Sequence, residues 1–252
     1  MTPVFKHQSG EFHMGDCFDV MRDIPDGSVD MVLCDLPYGT TQNKWDSVLP
    51  LDRLWAEYWR VCKPNAAIVL TAAQPFTSAL IMSDPGRFRY DWTWKKLGKP
   101  TGHLNAKKQP LRNKEDVCVF YREQCVYNPV MTAGKPFSNK AGKDHAATTS
   151  MTGSYGAYTN KRNDNSGFRY PLQVLEINRD ERGTIHPTQK PVALFEYLIR
   201  TYTDEGMTVL DNTAGSGTTA VAAHNAGRRW ICIERDPEYF YKAICRISEE
   251  CR

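Results

Sequence analysis

The chain has no Cys-x-x-Cys pair, no Cys/His cluster at metal-ligand spacing, no internal repeat and no long apolar run. Its eight cysteines are scattered over 252 residues. That scatter excludes a disulfide framework and a structural zinc, so reduced, mostly buried thiols are expected and no metal. The longest apolar runs, such as residues 66–70, are far too short to cross a bilayer, and the opening Met1-Thr2-Pro3-Val4-Phe5-Lys6-His7 carries no apolar leader. The expectation is a soluble, cytoplasmic protein with no membrane partner. The length suits one large domain, or one and a half, with a full core.

Acid is scarce in the middle of the chain. Residues 95–182 hold 16 Lys and Arg against 8 Asp and Glu, whereas the rest holds 16 against 21. The net charge of +3 therefore conceals a basic centre between acidic ends. Such a centre suits a polyanion bound at one face, with a solvated basic surface as the plainer alternative.

Periodicity is strong at both ends. Residues 11–15 predict a first strand and 17–24 a short helix, closed by the turn Pro25-Asp26-Gly27. Strands follow at 29–34 and 66–72, helices at 51–62 and 75–82, and two strands at 89–94 and 117–121 that can pair. After the irregular stretch 123–182, helices are expected at 191–203, 216–225 and 237–248, with strands at 207–210 and 230–233. Asp236 is placed as an N-cap with Pro237 at the first helical position. This βα alternation predicts an α/β fold with one doubly wound, mostly parallel sheet. Residues 123–182 interleave basic residues with Tyr127, Phe137, Tyr155, Tyr158, Phe168 and Tyr170, a composition that favours a nucleic-acid-contacting insert over a linker. The division is then 1–122, 123–182 and 183–252, the first and last forming one domain.

Two motifs carry chemistry. Asp35-Leu36-Pro37-Tyr38, followed by Gly39, lies where a strand ends, which is where ligands bind on open α/β sheets. Asp35 can accept one N–H of an exocyclic amino group, a backbone carbonyl held by Pro37 can accept the other, and Tyr38 offers a flat face to a planar base. The bland reading is a turn with Asp35 as a loop cap. The second motif is Asp211-Asn212-Thr213-Ala214-Gly215-Ser216-Gly217-Thr218-Thr219, between a strand and a helix. Glu234 lies 19 residues beyond Gly215 at the next strand's end, where an acid can hold ribose hydroxyls. Together these point to an adenosine-containing cofactor. Ala220 leaves a dinucleotide fingerprint open on spacing alone.

These residues resemble the permuted β-class of AdoMet-dependent DNA amino-methyltransferases of restriction–modification systems and phages. The likeness is carried by Gly15-Asp16 ahead of the Asp35 motif, by His186-Pro187-Thr188-Gln189-Lys190-Pro191, and by the Gly215 loop, and it covers nearly all the chain outside the insert. It implies a Rossmann-like fold, S-adenosyl-L-methionine as cofactor, and methylation of a flipped base in double-stranded DNA at adenine N6, with cytosine N4 as the alternative. It implies Asp35, Leu36, Pro37 and Tyr38 around the base. For the cofactor it implies Asp16 and Cys17, Thr188 and Lys190, Glu234, and Asp211, Thr213, Ala214, Gly215, Ser216, Gly217, Thr218 and Thr219. Residues 123–182 would select the DNA site, with Lys140, Lys143, Lys161 and Arg162 on phosphates. A homodimer and a cognate restriction endonuclease stay open as partners. Leu36 stands where the family commonly has a first proline, and Asn212-Thr213 where it often has Pro-Phe. A protein glutamine methyltransferase would carry its Gly loop before the catalytic motif. A DNA-binding module without turnover would have no need of Asp35, Tyr38, Gly215 and Gly217 together.

Overall fold

The computed structural model describes residues 3–40, 46–98, 100–138, 149–152, 156–159, 164–180 and 184–252. Val4–His7 (β1) and Gly10–Met14 (β2) form an antiparallel hairpin, and Asp16 then caps the short helix Cys17–Met21 (α1) by accepting from Phe18 N at 2.9 Å. Val29–Asp35 (β3), Leu51–Val61 (α2), Cys62–Ala72 (β4), Phe76–Ser83 (α3), Phe88–Leu97 (β5) and Lys114–Phe120 (β6) complete the first half. Val174–Asn178 (β13), Val192–Tyr202 (α4), Thr208–Asp211 (β14), Thr218–Asn225 (α5), Arg229–Glu234 (β15) and Pro237–Glu250 (α6) complete the second. Between the halves, β7 to β12 are short strands within residues 132–169.

The sheet runs β1-β2-β15-β14-β3-β4-β6-β5-β13, parallel from β2 to β4 and between β5 and β13, with β6 antiparallel to both its neighbours. The apolar run of β3 explains its central place, because a strand covered on both faces is apolar at every position. Met31 and Leu33 pack into the core beneath α4, α5 and α6, whereas Val32 and Cys34 pack into the core beneath α1, α2 and α3. The chain winds outward one way from β3 to β4 and the other way from β14 to β15. The carboxyl ends of β3 and β14 thus meet at the switch point, where a crevice opens.

The structure departs from expectation at several elements, among them β4, which starts at Cys62 rather than at residue 66. The edge strand β1 precedes the expected first strand, and α1 stops at Met21 rather than at residue 24. Helix α5 begins at Thr218 rather than at 216, because Gly217 holds a left-handed φ of 72°. Strand β13 lies inside the stretch read as irregular: its five residues are too few to show alternation, yet they pair in register with Thr93–Leu97.

Residues Pro129–Leu172 form a second compact unit. Among its described residues are three nested antiparallel ribbons: Thr132–Ala133 (β7) with Phe168–Arg169 (β12), Phe137–Ser138 (β8) with Asp164–Asn165 (β11), and Thr149–Thr152 (β9) with Gly156–Thr159 (β10). Arg169 braces them, donating to Asn165 Oδ1 and Lys135 O at 2.5 Å, with its guanidinium 4.8 Å from the Phe137 ring centre. Lys140, Lys143, Lys161 and Arg162, the expected phosphate contacts, lie outside the described residues, as do Tyr155 and Trp45. Among the described residues no helix is long and apolar enough to cross a membrane, and no group of three or more His, Cys, Asp or Glu could hold a metal. Seven of the eight cysteines are buried, and Cys245 is exposed.

Candidate active site

Asp35 stands at the end of β3 on the floor of a cavity of about 410 Å³. Its Oδ1 accepts from Tyr38 Oη at 2.7 Å and from Thr71 Oγ1 at 2.5 Å; its Oδ2 accepts from Lys190 Nζ at 2.6 Å. Thr71 reaches it because β4 pairs in parallel with β3, which sets Thr71 beside Asp35 in the register. A carboxylate oxygen accepts two bonds well. Oδ1 is therefore saturated by protein, and Oδ2 keeps one lone pair toward the cavity.

Lys190 is buried and continues the network, 3.3 Å from Glu115 Oε2; Lys96 donates to Glu115 Oε1. Two cations and two carboxylates thus alternate along one wall. Burial alone would lower Lys190, but Asp35 and Glu115 outweigh it and hold its ammonium above the ordinary lysine range. Burial likewise raises Glu115, yet Lys190 and Lys96 bring it below the ordinary glutamate range. Lys96 is lowered, chiefly by burial.

Tyr38 does more than present a face. Its ring stacks on Phe76 at 5.2 Å and 21°, Lys190 Nζ stands 5.6 Å over it, and its hydroxyl braces Asp35. Burial, followed by the charge of Asp35, raises its phenol well above the ordinary range, so it stays a donor. Leu36 is buried in the core on the α1–α3 side, which fixes the backbone where the family's first proline is absent. Asp46 closes the turn after the motif by accepting from Gly39 N at 2.8 Å and Thr40 N at 3.0 Å.

The Gly loop lines the same cavity and touches the motif directly, Thr213 Oγ1 donating to Asp35 O at 3.2 Å. Gly215 N donates to Glu234 Oε2 at 2.8 Å and Asp236 N to Oε1 at 2.8 Å, which leaves the carboxylate with acceptor capacity to spare. Asp211 accepts from Thr213 N and Thr219 Oγ1, while burial pushes its carboxyl up to about 7. Asn212 is buried; its Oδ1 accepts from Tyr58 Oη at 2.6 Å and Cys34 Sγ at 2.9 Å, and its Nδ2 has no partner. His186 meets Tyr239 edge-on at 4.3 Å, lies 3.1 Å from Thr188 Oγ1, and is held below the ordinary histidine range by burial.

Of the expected site residues, Asp16, Cys17, Asp35, Leu36, Pro37, Tyr38, Thr188 and Lys190 line this one cavity, as do Asp211, Thr213 through Ser216, Thr218 and Glu234. Gly217 and Thr219 do not. A Cβ on Gly217 would meet Ile247 Cδ1 at 3.1 Å and Ala243 Cβ at 3.3 Å, so that glycine admits α6 rather than a ligand. Thr219 turns back to Asp211. Gly217→Ala should therefore destabilise the fold by roughly 1–3 kcal/mol, through left-handed strain and the tight contact with α6. Urea unfolding measures this, and an unchanged midpoint would remove the role given to that contact. Thr71, Lys96, Glu115 and Asp46 escaped the sequence reading. Only Thr71, at the end of the strand beside β3, carried a signal that could have found it. Behind the loop, Arg246 is buried and donates to Thr218 Oγ1 at 3.1 Å and Ser216 O at 3.3 Å.

An adenosyl ligand fits this wall on three observations. The volume is that of a small-molecule pocket, Glu234 has spare acceptor capacity for hydroxyls, and Asn212 keeps an unpartnered donor.

Residues 29–245 match the family model for N6/N4 methyltransferases, described as DNA methylase. The chain is 30 % identical over 254 residues to YubD of Escherichia coli K12, named as a methylase, covering 94 % of this chain and 89 % of the relative. It is 26 % identical over 251 residues to the DNA adenine methyltransferase YhdJ of the same strain, covering 93 % and 81 %. Two solved structures share the fold. The PvuII cytosine-N4-specific DNA methyltransferase matches at TM-score 0.70 and 17 % identity, over 97 % of this chain and 88 % of the other. The M1.HpyAVI–SAM complex matches at 0.64 and 24 %, over 94 % and 99 %.

Proposed function

The chain belongs to the N6/N4 DNA methylase family, and on that premise we propose that it methylates the N6 amino group of an adenine flipped out of duplex DNA. S-adenosyl-L-methionine is the methyl donor, and when bound it supplies a methyl group made electrophilic by the sulfonium. The residues suited to hold it are Glu234 at the ribose, Asp16 at the rim and the backbone of the Gly215 loop.

The observation that carries the reading is the single unclaimed lone pair on Asp35 Oδ2 at the cavity floor. One amino N–H donates to it, and the other donates to the Leu36 carbonyl. Accepting both hydrogens draws the nitrogen lone pair out of the ring and makes a weak nucleophile usable. Tyr38 and Thr71 fix Oδ1, so the acceptor is aimed before the base arrives, which is the preorganisation that lowers the barrier. A base within a duplex stack cannot present its amino group in this geometry, hence the need for flipping. The relative named as a DNA adenine methyltransferase and the leading Asp35 support adenine over cytosine.

Mass spectrometry of nucleosides from duplex DNA treated with the protein and S-adenosyl-L-methionine is expected to find N6-methyladenine. N4-methylcytosine as the main product would replace this reading with its sister activity.

A further inference from the structure

A cationic hairpin starts from the lining of the cavity, and it carries an exposed leucine near its base. Thr101 and Arg112, both lining the cavity, exchange backbone hydrogen bonds of 2.8 and 2.9 Å and close the base of the hairpin. Between them the chain makes a 3-10 turn, His103–Asn105, extended by Lys108 N to Asn105 O at 2.8 Å and Gln109 N to Asn105 O at 3.0 Å. His103 Nε2 ties the turn to Pro100 O at 2.8 Å, and Gly102 enters it at a φ of 94°. Leu104 heads this turn with its side chain fully exposed. Residues 103–114 are all exposed and include Lys107, Lys108, Arg112 and Lys114 without one acid.

Single leucines on a surface are ordinary. What separates this one is its setting: a hydrogen-bonded turn that fixes it in water, cations on the flank, and a base that is itself part of the cavity wall. Leu104 is the third residue after Thr101, so the leucine lies within about 11 Å of the rim along the chain. We infer that this hairpin is the wedge that opens the duplex, with Leu104 entering the base stack to fill the gap left by the target base and Lys107 and Lys108 holding the phosphates beside it. Apolar side chains inserted at a base step offset part of the unstacking cost, and the flanking cations orient the approach without reading sequence. The inference rests on the proposed action on flipped bases in duplex DNA.

The test uses the whole protein and a methylation site mapped from its own product. Two duplexes are compared, one with the target base paired and one with it opposite an abasic position. Leu104→Ala is expected to lower the transfer rate on the paired duplex about ten-fold or more, while changing the rate on the unpaired-target duplex less than about two-fold. Leu104→Met, which restores apolar bulk, should recover most of the loss. With 2-aminopurine at the target position, the wild-type protein should raise fluorescence in the paired duplex and Leu104→Ala should raise it less. Equal loss on both duplexes, or no loss on either, overturns the wedge while leaving the methyltransferase reading in place. No methylated nucleoside from the wild-type protein would overturn that reading and the wedge with it.

Discussion

Asp35→Ala should lower methyl transfer by about three orders of magnitude or more while S-adenosyl-L-methionine still binds. The asymmetry follows from where the carboxylate sits. Its free lone pair is assigned to the amino group, whereas Glu234, the acid suited to the cofactor, is held by Gly215 N and Asp236 N and shares no hydrogen-bond partner with the Asp35 carboxylate. The substitution also leaves buried Lys190 with Glu115 as its remaining anion, so some loss of stability accompanies it. Asp35→Asn separates the two effects: it keeps the size and one acceptor but replaces the other oxygen with a donor. It should pack better than the alanine variant, although Lys190 still loses the charge of Asp35, and it should still lose most turnover. Transfer of labelled methyl to duplex DNA, beside calorimetric binding of S-adenosyl-L-methionine, measures both. An alanine variant retaining more than about a tenth of wild-type turnover would remove Asp35 from the chemistry.

The two walls of the cavity were legible to different degrees. Strand β3 declares itself through an apolar run long enough for a strand buried on both faces, and Asp35 stands where that run stops. The Gly loop declares itself through the order strand, Gly-x-Gly, helix, strand, acid, which the structure lays side by side as β14, α5 and β15. What stayed hidden depends on pairing across the sheet. Glu115 and Lys96 come from β6 and β5, beyond the strands expected at 117–121 and 89–94, and these polar ends carry no local sign of meeting Lys190. The string around Lys190 suggests a helix entry, and its partner Asp35 lies 155 residues away. Gly217 shows a third limit. Sequence implies a backbone that no side chain crowds, but not whether a ligand or α6 fills the space. In residues 129–172 the ribbons are two to four residues long, too short for a period of two to emerge.

Lys190→Met removes a buried ammonium at nearly constant volume and leaves Asp35 and Glu115 without the cation they share. A fall in turnover of about a hundred-fold is expected, because Asp35 Oδ2 loses the donor that aims it. The acid limb of the pH–rate profile should also move to higher pH, since Glu115, stripped of Lys190, holds a proton more readily. Stability should fall too, by about 3–5 kcal/mol if the partners left behind do not rearrange. The sign with pH follows from the two shifts. Lys190, raised in the fold, contributes stability below the ordinary lysine pKa and loses it as pH climbs through the higher folded value. Glu115, lowered in the fold, contributes above the ordinary glutamate pKa and loses it as pH falls through the lower folded value. Both contributions are in force between those ordinary values, about pH 5 to 10, and there the variant should differ most from the wild type. Urea titrations across that window, with turnover measured against pH on the folded fraction, separate a positioning lysine from one that only fills the core. A variant that is less stable yet keeps full turnover and the wild-type acid limb would assign Lys190 to the core and leave Asp35 aimed by Tyr38 and Thr71 alone.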